Sequence, residues 1–181
     1  MKRNRVHLIL RLLFRYLKYV AASALRGPSS SFALGVIFPD GLTDSNTLME
    51  NLHALDSRPE IVFIQVGSND GISGDPLHDR ISHSRKWRGV LVEPVPYLYE
   101  KLRNTYANRN GLVFENTAVS SRNGDSTFYH LPAEIRDRFP HLPEWSEQLG
   151  SFSRKHIERQ LGLEVTPFIQ RTSVSSTTLS D

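Results

Sequence analysis

The chain has 181 residues, 39% of them hydrophobic and 23% charged, enough for one core of ordinary size and without the bias of a disordered or collagenous protein. It contains no cysteine, which excludes disulfides, thiolate metal sites and a cysteine nucleophile and fits a reducing compartment such as the cytoplasm. The net charge of +3 is unevenly placed: Met1 to Arg26 holds seven of the 22 basic residues and no acid, leaving 15 basic against 19 acidic residues elsewhere, so no nucleic-acid surface is expected on a mildly acidic body.

On a helical projection of the first segment, Asn4, His7, Arg11, Arg15 and Lys18 fall within one narrow arc, and Leu8, Leu10, Leu12, Leu13, Phe14, Leu17 and Val20 fill the rest. Residues 1–26 therefore read as a basic amphipathic helix. Basic residues inside the apolar stretch argue against a spanning helix or a secretory signal. Three readings stay open: an interfacial helix peripheral at a membrane, a helix docked on the protein's own core or on a partner subunit, and an organellar transit peptide.

Residues 27–46 read as a linker, with GPSSS at one end and PDGLTDSN at the other. Leu48, Leu52 and Leu55 predict a short helix over 47–55, capped by Asp44, Ser45 or Asn46, as the entry to a domain over 47–181. From Ile61 two textures alternate. IVFIQV, GVLVEP and GLVFEN are apolar strands; residues 76–87 and 97–106 between them have helical length, the second with Leu98, Leu102 and Tyr106 on one face. This βαβαβ order predicts a parallel sheet covered on both faces, with ligands bound beyond the carboxyl ends of its strands. Prolines at 132, 140 and 143 break that rhythm, so residues 131–161 read as an insertion of short helices, either a lid over the site or a surface excursion.

Gly67, Ser68, Asn69, Asp70 and Gly71 leave the end of the first strand. Glycines there permit a sharp turn and a close approach of backbone amides to a ligand. The spacing, Gly67-x3-Gly71-x2-Gly74, is not that of dinucleotide sites, and many such turns bind nothing. Glu93, 22 residues beyond Gly71 and just before Pro94, adds a carboxylate at the second strand's end. Its two oxygens match the two donors of a ribose diol; the structural alternatives are a solvated strand-end acid or a helix N-cap partner. Asp75, His78, Asp79 and His83 contain metal-ligand types, but His78 and His83 lie about 140° apart around a helix, and no metal site is expected.

The ordered series QVGSNDG, Asp75-Pro76, WRGVLVEPVP from Trp87 to Pro96, Leu102 with Asn104, FENTAVS from Phe114, a strand from Gly124 to Tyr129, and LPEWSEQLGSF from Leu142 resembles the FkbM-type methyltransferases. The resemblance covers Ile61 to the end of the chain. It implies a Rossmann-like class-I methyltransferase sheet in an α/β fold, S-adenosyl-L-methionine as cofactor, and O-methylation of a hydroxyl on a sugar, glycan or secondary metabolite. By position it implies that Gly67, Ser68, Asn69 and Gly71 line the methionine and ribose part of the cofactor, that Glu93 holds the ribose diol, and that Thr117 and Ala118 meet the adenine. Without the family, Thr117 and Ala118 are equally a simple strand exit.

Two departures accompany the resemblance. Gln65 stands where many members have an aspartate, so a neutral amide replaces an acidic contact near the methionine amino group. The segment Thr177 to Asp181 resembles one that further strands follow in the family. The expectation is a sheet whose first strand has one unpaired edge, and the opposing reading is a truncated noncatalytic homologue that binds a membrane or a partner. No general base is assigned; His130 and His141 are read as exposed loop histidines.

Overall fold

Six residues from Ile61 to Val66 form β1, followed by α1 (His78–His83), β2 (Trp87–Val92), α2 (Pro96–Thr105) and β3 (Leu112–Glu115). The computed structural model describes residues 50, 52, 53 and 55–178; the expected arm over 1–26, the linker over 27–46 and the cap at 44–46 lie outside them. Glu50, Leu52, His53 and Leu55 are helical, in keeping with the helix expected over 47–55. The fold is mixed α/β.

The three strands form one parallel sheet in the order β1-β2-β3, with Ile61 opposite Trp87 and Gly89 opposite Leu112. Parallel pairing needs crossovers, and α1 and α2 supply them. Pro96 opens α2, where a missing N–H costs nothing, and Leu98 and Leu102 turn inward. The helix expected over 76–87 is shorter than read. Trp87 instead opens β2, because its indole, 1% exposed, fills the core beside Phe63.

Register puts Ile61, Phe63, Trp87 and Leu91 on one face, where they form a buried cluster with Leu52, Leu77, Ile81, Leu102 and Tyr106. The opposite face differs from expectation. Val62 and Val113 there are 52% and 51% exposed while Val92 is 6% exposed, so among the described residues that face is covered only toward the carboxyl ends of the strands. Likewise β1 pairs with β2 alone among them.

Beyond β3 the chain builds a second sheet that periodicity did not announce. Its members are β4 (Ala118–Val119), β5 (Gly124–His130), β6 (Gly150–Ser151) and β7 (Gln170–Thr177), in the order β4-β7-β5-β6. β7 runs antiparallel to β5 and parallel to β4. Between β5 and β7 lie α3 (Ile135–Arg138), a 3-10 turn at Glu144–Gln148, β6, α4 (Arg154–Leu161) and a second 3-10 segment at Leu163–Phe168. These elements enclose their own core of Leu131, Ile135, Leu142, Leu149, Ile157, Leu161 and Val165. The expected insertion over 131–161 thus runs on to β7 and packs as a unit. Among the described residues no helix is long and apolar enough to cross a membrane.

Candidate functional site

The loop after β1 is held by its own hydrogen bonds. Gly67, Asn69 and Gly71 have positive φ values of 75°, 49° and 74°, a conformation that glycine adopts freely and asparagine tolerates. The N–H groups of Gly67 and Ser68 donate to the carbonyl of Val92 at 2.9 and 3.0 Å, and that of Gly71 donates to Ser68. Asp70 accepts from the N–H groups of Ile72 and Ser73 and from the Ser73 hydroxyl at 2.6 Å. Burial alone would raise the Asp70 carboxyl, but these bonds outweigh it and hold it below the usual carboxylate range. The sequence reading offered these amides to a ligand. The fold engages them itself: Gly67 and Ser68 bond to β2, Asn69 to Glu93, and Gly71, Ile72 and Ser73 within the loop.

The two glycines at its ends do different work. A Cβ at Gly67 would meet nothing within 4 Å, leaving a cradle open at the strand end. A Cβ at Gly71 would lie 2.7 Å from the Tyr106 ring and 2.8 Å from Leu102. Gly71 therefore lets α2 close against the loop, and its carbonyl accepts bonds from the Tyr106 hydroxyl at 2.8 Å and from His78 Nδ1 at 2.7 Å.

Glu93 binds directly to this loop. Its Oε2 accepts the N–H of Asn69 at 2.9 Å, and its Oε1 accepts the N–H of Val95 at 2.9 Å just before α2. The residue is 2% exposed and still lines the cavity above the loop. Burial pushes its carboxyl up to about 7 despite the two N–H bonds, and the nearby Asp70 charge adds to the rise. Of the two structural alternatives, a solvated acid is excluded and a bond to the residue capping α2 is present. Each oxygen accepts one N–H and keeps further acceptor capacity.

Beside Glu93, Gln65 is 3% exposed and donates through Nε2 to Asp75 Oδ1 at 3.0 Å. Asp75 also accepts the N–H of Leu77 at 2.8 Å, and burial raises its carboxyl against those bonds. An acid thus stands next to the amide at position 65, contributed by the Asp75-Pro76 pair ten residues on.

These groups floor a cavity of about 880 Å³. Val95, Leu98 and Phe128 give it an apolar side. The opposite wall comes from the residues after β5: Arg136, Glu144, Trp145, Glu147, Gln148 and Gly150. Gln148 Nε2 reaches the Ser73 carbonyl at 3.2 Å, and the Tyr97 hydroxyl donates to the Glu147 carbonyl at 2.6 Å, so this wall is fastened to both the loop and α2. Between lid and surface excursion, the geometry is that of a wall.

The cavity collects Gln65, Gly67, Ser68, Asn69 and Glu93 from the residues singled out by sequence, while Gly71, Thr117 and Ala118 do not line it. Thr117 Oγ1 donates to the Ser175 carbonyl at 2.9 Å, and Ala118 is buried among Val95, Leu98, Phe128 and Val174. Both serve the junction with the second sheet. Their neighbour Asn116 is the one that reaches toward the site, donating to the Glu93 carbonyl at 2.8 Å. His130 is buried in β5 with Nδ1 2.9 Å from the Leu131 carbonyl, not in an exposed loop as read; His141 is exposed and lies 2.7 Å from Glu164. Sequence reasoning missed Arg136 and Lys101 as cavity residues. The stretch LPEWSEQLGSF, noted for its resemblance, did contain Trp145, Gln148 and Gly150. Among the described residues no three metal-ligating side chains gather.

Comparison with protein-family models, curated proteins and solved structures gives no match.

Proposed function

We propose that the cavity binds S-adenosyl-L-methionine and that the chain is a Rossmann-like methyltransferase domain directing the methyl group to a hydroxyl of a sugar, glycan or other small metabolite. The observation that carries this reading is the 2.9 Å bond from the Asn69 N–H to Glu93 Oε2, which fixes the glycine-rich turn and the strand-end carboxylate to one floor. A single sugar-bearing molecule spans both. The cradle at Gly67 leaves space for a ribose edge, and Glu93 retains acceptor capacity for a diol. Asp70, Asp75 and Glu93 give the floor an acidic character suited to a cationic ligand.

The cofactor, when bound, supplies an electrophilic methyl group on sulfur. The chain's own part is to hold the nucleoside end, to wall off water with Trp145 and Gln148, and to align an acceptor oxygen with the methyl. Glu93 must be ionised to accept two hydroxyls. Because its carboxyl titrates near 7 in the free protein, binding has to expel a proton below that pH. Affinity for S-adenosylhomocysteine should therefore rise about tenfold from pH 6 to pH 8 and then level.

Calorimetric titration of the 181-residue chain with S-adenosylmethionine and S-adenosylhomocysteine tests the reading. Binding that is lost in Glu93→Gln, together with the pH trend, supports it. A folded sample that binds neither compound refutes it and favours the noncatalytic alternative.

A further inference from the structure

We propose that the wall contributed by the residues after β5 is an acceptor subsite for a ring compound carrying one oxyanion, with Arg136 as the partner of the anion and Trp145 as the surface on which the ring lies. The assignment of this wall to the acceptor rests on the cofactor reading of the floor. Its chemistry is carried by different residues.

The acids of the floor already have partners: Asp70 in the loop, Asp75 through Gln65 and Leu77, Glu93 through Asn69 and Val95. Arg136 is in the opposite condition. The residue lines the cavity, no hydrogen bond or ion pair with another described residue engages its guanidinium, and its Nε is buried without an acceptor. A buried donor left unmet carries a desolvation cost, and a guanidinium relieves it best with a planar or tetrahedral oxyanion that takes two of its N–H groups. Lys101, the other cation on the cavity, is directed elsewhere: its Nζ stands 5.7 Å from the centre of the Tyr97 ring, and its charge acts on Asp70.

Trp145 packs on the apolar core of this segment and also lines the cavity, so its indole is fixed from behind. The part of the indole that lines the cavity adds apolar surface, which suits the C–H face of a saturated ring. Glu144 and Glu147 flank Trp145 in sequence and line the same cavity. They repel a ligand that carries negative charge all round and so confine the anion to the Arg136 end. At about 880 Å³ the cavity is near the upper limit for sites that enclose one small ligand, roughly 1,000 Å³, which leaves room for an acceptor beside the nucleoside.

The test measures binding of glucuronic acid, glucose 6-phosphate and glucose to the full chain saturated with S-adenosylhomocysteine, by saturation-transfer NMR with competition. At least one charged sugar should bind tenfold or more tightly than glucose, and the preferred one tells a carboxylate from a phosphate acceptor. Arg136→Gln should abolish that discrimination while leaving affinity for S-adenosylhomocysteine within twofold; Arg136→Lys should restore part of it and guards against a folding artefact. Equal binding of all three sugars, no binding of either charged sugar to folded protein, or discrimination surviving in Arg136→Gln overturns the proposal. If the chain fails to bind S-adenosylhomocysteine but still selects charged sugars through Arg136, the cofactor reading falls and the subsite stands.

Discussion

Gly67 and Gly71 look alike in the sequence, four residues apart in one turn, and both adopt positive φ. An alanine at either position bears a backbone strain of about 1–2 kcal/mol, because its Cβ crowds the following carbonyl. Their surroundings then separate them. At Gly71 the added methyl would collide with Tyr106 and Leu102, both buried, and overpacking adds about 1–3 kcal/mol. At Gly67 the methyl would occupy the open cradle. Gly71→Ala should consequently lower the midpoint of urea unfolding well beyond Gly67→Ala, whereas Gly67→Ala should lose affinity for S-adenosylhomocysteine tenfold or more with only the strain cost in stability. Equal unfolding midpoints for the two variants would contradict the packing role of Gly71. The sequence marked both positions as part of one glycine-rich turn. It did not separate their roles, because the partners of Gly71 are Leu102 in α2 and Tyr106 at its end, 31 and 35 residues farther on, and nothing local encodes that approach.

At the scale of elements, legibility followed the strength of the period. β1, β2, β3 and α2 were readable because continuous apolar runs and the spacing of Leu98, Leu102 and Tyr106 leave one face to bury. β7 was not. Its sequence QRTSVSST buries only Val174 and Ser176, and its stability comes from a seven-residue register with β5, running from Gly124 opposite Ser176 to His130 opposite Gln170. Ladder hydrogen bonds of that kind leave no mark in composition. The candidate site divides in the same way. The floor was visible as a turn and an acid; the wall depends on Tyr97, which joins α2 to a segment 50 residues away. Tyr97→Phe removes the hydroxyl that donates to the carbonyls of Glu147 and Leu131, and should destabilise the chain by about 1 kcal/mol. The more telling readout is local. Amide hydrogen exchange in 144–150 should accelerate several-fold more than in β1 or β2, as expected when a unit opens without global unfolding. Uniform acceleration would mean that the wall has no independent motion.

On the scale of the whole molecule, the two faces of the parallel sheet make opposite demands. Purely parallel sheets occur almost always with both faces covered, because the strands are apolar on each side. Here Phe63 lies 9% exposed beneath α1 and α2, while Val62, one residue earlier, is 52% exposed and Val113 is 51% exposed on the other face. The two positions therefore discriminate between a face that is open in the intact chain and one that a segment outside the described residues covers. If it is open, replacing Val62 or Val113 by threonine removes little buried surface and should change the unfolding free energy by no more than about 0.5 kcal/mol. Phe63→Ala should cost about 3–5 kcal/mol, because it leaves a cavity in the packed face. Denaturant unfolding of the three variants decides the matter. A loss above about 1 kcal/mol at both valines would show that the face is buried in the intact chain, since only atoms removed from water carry a transfer free energy of that size.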